Sequence, residues 1–85
     1  MHTVDLLNEA IAVAHTAGIQ IREDWLGGDG GVCELRGRLV VFLDANQNSG
    51  ERLSLVLEAL QRSPALARVS CSPHLRRLLQ VRRSA

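Results

Sequence analysis

The stretch Gly27–Leu60, GGDGGVCELRGRLVVFLDANQNSGERLSLVLEAL, decides the fold class of this chain. It opens with a run of glycines, continues with two apolar segments around Arg36-Gly37-Arg38, and ends in leucines at helical spacing. A tight turn between two strand-like segments predicts a β-hairpin, and the leucine spacing predicts an amphipathic helix. The sequence therefore indicates an α+β fold in which a hairpin leads into a packed helix.

The second strand of this hairpin is predicted to lie at the centre of a sheet. Leu39–Leu43 is an unbroken apolar run, LVVFL, which suits a strand that is covered on both faces. We expect the sheet either to be sandwiched between other elements or to be covered by a partner. Val32–Arg36 alternates in side-chain character and is expected to pair beside it, with Arg36-Gly37 or Gly37-Arg38 at the centre of the turn.

The helix that follows has a clear beginning and a clear end in the sequence. Asn48 and Glu51 have the spacing of a capping box, with Asn48 as the N-cap residue. Ser63-Pro64 ends the helix, because the residue before a proline disfavours helical geometry. The side chains expected on its buried face are Leu53, Val56, Leu57 and Leu60.

The flanking sequence completes the predicted element order α-β-β-β-α-β-α. Val4–Ala17 is expected to form the first helix, with Thr3 as its N-cap. Ile19–Leu26 follows as an edge strand, Leu66–Cys71 as a short fourth strand, and Ser72-Pro73 begins the last helix. The fold prediction is a three- to four-stranded antiparallel or mixed sheet with helices packed on it.

Length and composition limit the class of protein. Residues 1–85 are predicted to form a single small α/β domain, and 46% of them are hydrophobic, which is enough for a core. Trp25 and Phe42 are its only Trp, Tyr or Phe residues, so the core must be mainly aliphatic. Because so small a domain has little stability to spare, we expect a homo-oligomer or a protein partner. No apolar run approaches the ~20 residues of a membrane span and the N-terminus lacks a signal-peptide pattern, so we expect no membrane and a cytoplasmic location.

The two cysteines, together with a histidine three residues after the second, are candidate metal ligands or nucleophiles. Two cysteines in a chain of this length favour free thiols in a reducing compartment over a disulfide framework. A small metal- or thiol-dependent protein using Cys33, Cys71 and His74 is an alternative, because thiolates and imidazoles bind zinc and can act as nucleophiles. We expect instead a buried Cys71 and a surface His74, with no metal and no cofactor.

Charge is distributed unevenly along the chain. Residues 1–61 contain all nine acidic residues and four arginines, whereas residues 62–85 contain six arginines and no acid. Nucleic-acid binding by the last helix is therefore a second alternative, because arginines can contact phosphates. It is not favoured, because no aromatic side chains for base stacking lie among the arginines. The arginines of that helix are Arg76, Arg77, Arg82 and Arg83.

The stretch Arg52–Gln61 of the second predicted helix follows a hairpin and an earlier strand that begins at Gly18-Ile19. This arrangement resembles the core of the ImmA/IrrE-type minigluzincins, small bacterial metallopeptidases whose helix carries two zinc-binding histidines and a glutamate general base. Glu58 falls on the position of the general base, whereas Leu57 and Gln61 fall on the positions of the histidines. The resemblance therefore implies a related scaffold without the zinc, and hence without peptidase activity.

A second resemblance concerns the hairpin itself. The pattern G-G-x-C-x-L-x-G, which runs from Gly30 to Gly37, is similar to that of a set of short uncharacterised bacterial proteins. That resemblance implies no activity.

The function favoured by the sequence is a non-enzymatic cytoplasmic protein-interaction module that self-associates through an exposed face or edge of its sheet. Trp25 and Leu26 are the expected interface residues, because aromatic anchors dominate interfaces and Leu26 points away from the face of Ile19 and Ile21. A Trp25 buried in the core is the alternative. Whether the chain is an enzyme stays open, with binding favoured over catalysis.

Overall fold

The computed structural model describes residues 2–24 and 30–83, which form three α-helices, three strands and one 3₁₀ turn. The described residues contain both helices and a single sheet, so the predicted α+β class is confirmed. In chain order the elements are α1 (Thr3–Thr16), β1 (Gln20–Asp24), β2 (Gly31–Leu35), β3 (Arg38–Asp44), α2 (Ser49–Arg62), the 3₁₀ turn (Leu66–Arg68) and α3 (Pro73–Arg83).

The three strands form one mixed sheet in the order β1-β3-β2. β3 pairs in parallel with β1 and antiparallel with β2, which places Val41 beside both Ile21 and Val32. The central position of β3 and the edge position of β1 are confirmed. Of the two sheet types that the sequence left open, the structure has the mixed one.

A two-residue turn joins β2 to β3. Its central residues are Arg36, with φ 53°, and Gly37, with φ 79°. Positive φ at both central positions defines a type I′ turn, whose twist matches that of the strands it connects. Leu35 and Arg38 are therefore the residues that close the turn.

The two long helices begin differently. Asn48 caps α2 as predicted, because its side-chain oxygen accepts a hydrogen bond from the backbone nitrogen of Glu51 at 2.8 Å and its own nitrogen donates to the Glu51 carboxylate at 2.9 Å. α1 begins at Thr3, which the sequence had suggested as the cap. The N-cap residue is His2, whose side chain makes no capping hydrogen bond.

The segment Leu66–Cys71, expected as a fourth strand, does not join the sheet. Its first residues form the 3₁₀ turn, in which the nitrogen of Arg68 donates to the carbonyl of Ala65 at 2.9 Å. This local bonding follows Pro64 and bends the chain, so the backbone groups of the turn are not available to a neighbouring strand. Val69 then enters the core at 7% exposure.

All three helices contribute to one core on one face of the sheet, here called the inner face. β3 supplies Val41 and Leu43 to it. The opposite, outer face has no helix from the described residues, so they do not form the expected sandwich. Val40 points to the outer face and is nevertheless 2% exposed, between Gln20 of β1 and Cys33 of β2. The helical core residues are Leu6, Leu7, Ala10, Val13, Ala14, Leu53, Val56, Leu57, Ala59, Leu60, Leu75 and Leu79.

Candidate interaction surface

The outer face of the sheet carries an apolar patch across β2 and β3. Side chains alternate between the two faces along a strand, and Val32 and Val41 pack on the inner core. Their neighbours along each strand therefore point outward. We call the outward-facing residues Cys33, Leu35, Val40 and Phe42 the outer patch.

Exposure is greatest at the hairpin end of the outer patch. Val40 is buried and Cys33 and Phe42 are half-buried, whereas Leu35 is 53% exposed. Only one other large hydrophobic residue is as exposed in the part of the chain that the structure describes: Val4, on α1, also at 53%. Leu35 thus extends the apolar surface of the outer patch into solvent.

A basic side chain borders the outer patch on β1. The guanidinium carbon of Arg22 lies 6.0 Å from the centre of the Phe42 ring, which is the outer limit of a cation–π contact. Arg22 and Phe42 are also direct neighbours in the sheet register. The outer patch therefore has an apolar centre with a cationic rim on the β1 side.

β2 is the edge of the sheet next to the outer patch. Because Leu35 and Arg38 close a two-residue turn, they form a hydrogen-bonded pair, and such pairs alternate along an antiparallel ladder. The N–H and C=O groups of Val32 and Glu34 therefore point away from β3. No strand of residues 2–24 or 30–83 pairs with β2 on that side.

The opposite edge of the sheet, β1, is occupied by charged side chains. Glu23 forms an ion pair with Arg52 of α2, and the same arginine donates from its second nitrogen to the carbonyl of Asp44 at 3.1 Å. Arg22 also lies on this strand. Charges on an edge strand discourage pairing with another chain, so β1 is the protected edge and β2 the accessible one.

The structure places the cysteine and histidine candidates in different surroundings. Cys33 belongs to the outer patch, whereas Cys71 is half-buried against the inner core. His74 is exposed in the first turn of α3. Both thiols are free, and the described residues contain no group of three or more His, Cys, Asp or Glu side chains that could hold a metal ion.

The three α2 residues at the metallopeptidase-like positions, Leu57, Glu58 and Gln61, pack or bond within the fold. Leu57 is buried among the core side chains at 5% exposure. The side-chain nitrogen of Gln61 donates to the carbonyl of Leu79 at 2.7 Å and so ties α2 to α3. Glu58 lies at the surface, where its carboxylate is 3.4 Å from Arg62.

The remaining predicted site residues lie at the end of the chain or outside the described part. Trp25 and Leu26 lie outside the described residues. Arg77 is exposed on α3, whereas a guanidinium nitrogen of Arg76 donates to the carbonyl of Val69 at 2.9 Å. The backbone of Arg82 and Arg83 belongs to α3, and their side chains lie outside what the structure describes.

Two open clefts border the C-terminal end of α2. One, of about 410 Å³, lies between α2, the 3₁₀ turn and α3, and its lining includes Gln61 and Arg76, both of which already bond to backbone carbonyls. The other, of about 400 Å³, has Arg62 and Arg68 on its wall beside the last turns of α1 and α2. Arg62 lies in the last turn of α2, where a basic side chain is favourable, and it also pairs with Glu58.

The sequence did not reveal a polar contact that fixes α3. The carboxylate of Glu9 on α1 accepts two hydrogen bonds from Ser72, one from its backbone nitrogen at 2.6 Å and one from its hydroxyl at 2.8 Å. The Ser72 hydroxyl also accepts from the nitrogen of Leu75 at 3.2 Å, which caps α3. Ser72-Pro73 signalled the cap, but a partner 63 residues away leaves no local signal.

Comparison of the chain with protein-family models, curated protein sequences and solved structures found no significant match. Among the described residues, no helix has both the length and the hydropathy that crossing a membrane requires. The geometry of the outer patch and of the β2 edge therefore carries the functional argument.

Proposed function

We propose that this protein is a non-enzymatic interaction module that associates with a second copy of itself through the outer patch and the adjoining edge of β2. The observation that carries the proposal is the contiguous apolar surface of β2, in which the half-buried Cys33 lies beside Leu35, a large apolar side chain that is 53% exposed. Contiguous apolar surface on a sheet face is a feature of contact sites, whereas a single exposed apolar side chain is ordinary.

The sequence of β3 supports the same proposal. Leu39–Leu43 is apolar on both faces, yet the described helices pack only on the inner one. A strand exposed to water on its outer face would ordinarily alternate with polar residues. The half-buried Phe42 is consistent with an apolar face that continues into a partner, whereas Val40 is already buried between its sheet neighbours.

The module is proposed to work in the cytoplasm. Cys33 and Cys71 are both free in the structure, and thiols remain reduced in that compartment. A reduced Cys33 suits the centre of an apolar contact, because free cysteine behaves as a small hydrophobic side chain.

Substitution of Leu35 tests the proposal. Native mass spectrometry and light scattering should give a multiple of 9.3 kDa for the unmodified protein and 9.3 kDa for Leu35→Glu. The introduced carboxylate lies opposite Arg38 in the hairpin, so the monomer should keep its fold.

Val4→Glu is the matched control, because Val4 is equally exposed but lies on α1. It adds the same charge and should leave the oligomer intact. A monomeric unmodified protein at all concentrations would contradict the proposal, and so would equal effects of the two substitutions.

A further inference from the structure

We infer that the second copy pairs its β2 strand with β2 of the first, antiparallel and with the two-fold axis at Cys33. This inference rests on the proposed self-association and specifies its geometry. It extends each three-stranded sheet into one of six strands, in the order β1-β3-β2-β2-β3-β1.

The backbone of β2 is suited to this pairing. Its outward-pointing N–H and C=O groups belong to Val32 and Glu34, one on each side of Cys33. In an antiparallel pair centred on Cys33, Val32 of one copy lies opposite Glu34 of the other, and both residues present the groups that the partner strand needs. The edge carries no proline and one charged residue, so the usual protections against strand pairing are nearly absent.

The outer-face side chains of β2 complement their own symmetry mates. The same register places Leu35 of one copy opposite Gly31 of the other. A Cβ atom at Gly31 would meet nothing within 4 Å, and the neighbour of Gly31 across the sheet is Phe42. Leu35 of each copy would therefore fill the open space at Gly31 of the second copy, beside its Phe42.

Other registers of the same strand lose these matches. A shift by two residues would put Cys33 opposite either Gly31 or Leu35 and would leave part of the five-residue strand without a partner. A shift by one residue would set outward-pointing groups against inward-pointing ones. The Cys33-centred register is thus the one that uses the whole strand.

The distance between the two Cys33 residues provides a direct test. Directly opposed residues in a non-hydrogen-bonded antiparallel pair have Cα atoms about 4.5 Å apart, within the range that a disulfide spans. Diamide should oxidise the two thiols to one disulfide, taking up their two electrons and two protons. The expected result is a covalent dimer on a non-reducing gel for the unmodified protein and for Cys71→Ser, and none for Cys33→Ser.

A proline substitution at the edge tests the backbone pairing. Glu34→Pro removes an N–H that points away from β3, so the hairpin is retained while the partner strand loses a hydrogen bond in each copy. We expect the dimer dissociation constant to rise about tenfold or more. Glu34→Thr also removes the carboxylate but keeps the N–H and suits a strand, so it should dimerise at least as well as the unmodified protein.

The outcomes separate the inference from the proposed function. A protein that stays monomeric would overturn both. A dimer that forms no Cys33 disulfide, or whose affinity is equal for Glu34→Pro and Glu34→Thr, would overturn the strand pairing and leave the self-association proposal standing. Circular dichroism should show that Glu34→Pro is folded, and the covalent dimers of the unmodified protein and of Cys71→Ser test the pairing without any change to β2.

Discussion

At the scale of single residues, Gly30 is the glycine with the least room for a side chain among those that the structure describes. Its φ is +69°, and a Cβ atom there would lie 2.3 Å from the carbonyl oxygen of Phe42. We expect Gly30→Ala to lower the free energy of unfolding by about 3 kcal/mol or more, because the backbone of the central strand would have to move. Chemical denaturation gives the measurement.

Gly18→Ala is the control for this prediction. Gly18 has a similar φ of +83°, but a Cβ atom there would meet nothing within 4 Å. Its substitution should cost only the strain of a left-handed conformation, about 1 kcal/mol. Equal losses for the two substitutions would show that conformation, and not the approach to Phe42, sets the requirement at Gly30.

The turn and the strand before it show how far single residues could be predicted. The sequence was compatible with either Arg36-Gly37 or Gly37-Arg38 at the centre of the turn. In the structure the central residues are Arg36 and Gly37, although positive φ is unfavourable for arginine. It also showed that Cys33 and Leu35 face the side opposite to Val32. Hydrophobicity alone would favour Cys33 and Leu35 on the buried face of β2. The register instead places Val32 beside Val41, on the face that the helices cover.

At the scale of elements, the attachment of α3 depends on Glu9. α3 packs its buried leucines on α2, and the Glu9 carboxylate holds its first residues through Ser72. Glu9→Gln should cost about 1–2 kcal/mol, because one carboxylate oxygen is replaced by a donor that cannot accept from Ser72. Hydrogen exchange should become faster in α3 and remain nearly unchanged in the centre of α2.

Asp5→Asn on the same helix is the matched control for the attachment of α3. Asp5 lies in the first turn of α1, where its charge contributes only a few tenths of a kcal/mol through the helix dipole. Its substitution should leave hydrogen exchange in α3 unchanged. If Glu9→Gln and Asp5→Asn gave the same exchange profile, the contact with Ser72 would not be what holds α3.

The elements that the sequence predicted well are those with local signals. The capping box of Asn48 and Glu51 and the stop at Ser63-Pro64 lie within a few residues of the helix ends that they define. Leu66–Cys71 had only an apolar composition to favour a strand. The path of this segment depends on the packing of Val69 in the core. That packing is a long-range contact, which local composition does not encode.

At the scale of the whole molecule, stability and association should be linked. The core is aliphatic and one-sided, and pairing of the two β2 strands brings Cys33 and Leu35 against a second copy, which buries apolar area that the monomer leaves exposed. For a dimer that unfolds to two chains, a tenfold rise in protein concentration adds about 1.4 kcal/mol to the free energy of unfolding per mole of dimer. Thermal unfolding followed by circular dichroism should therefore show a midpoint that rises with concentration. That dependence should persist in Val4→Glu and disappear in Leu35→Glu, and a concentration-independent midpoint in the unmodified protein would argue that the outer patch is stable without a partner.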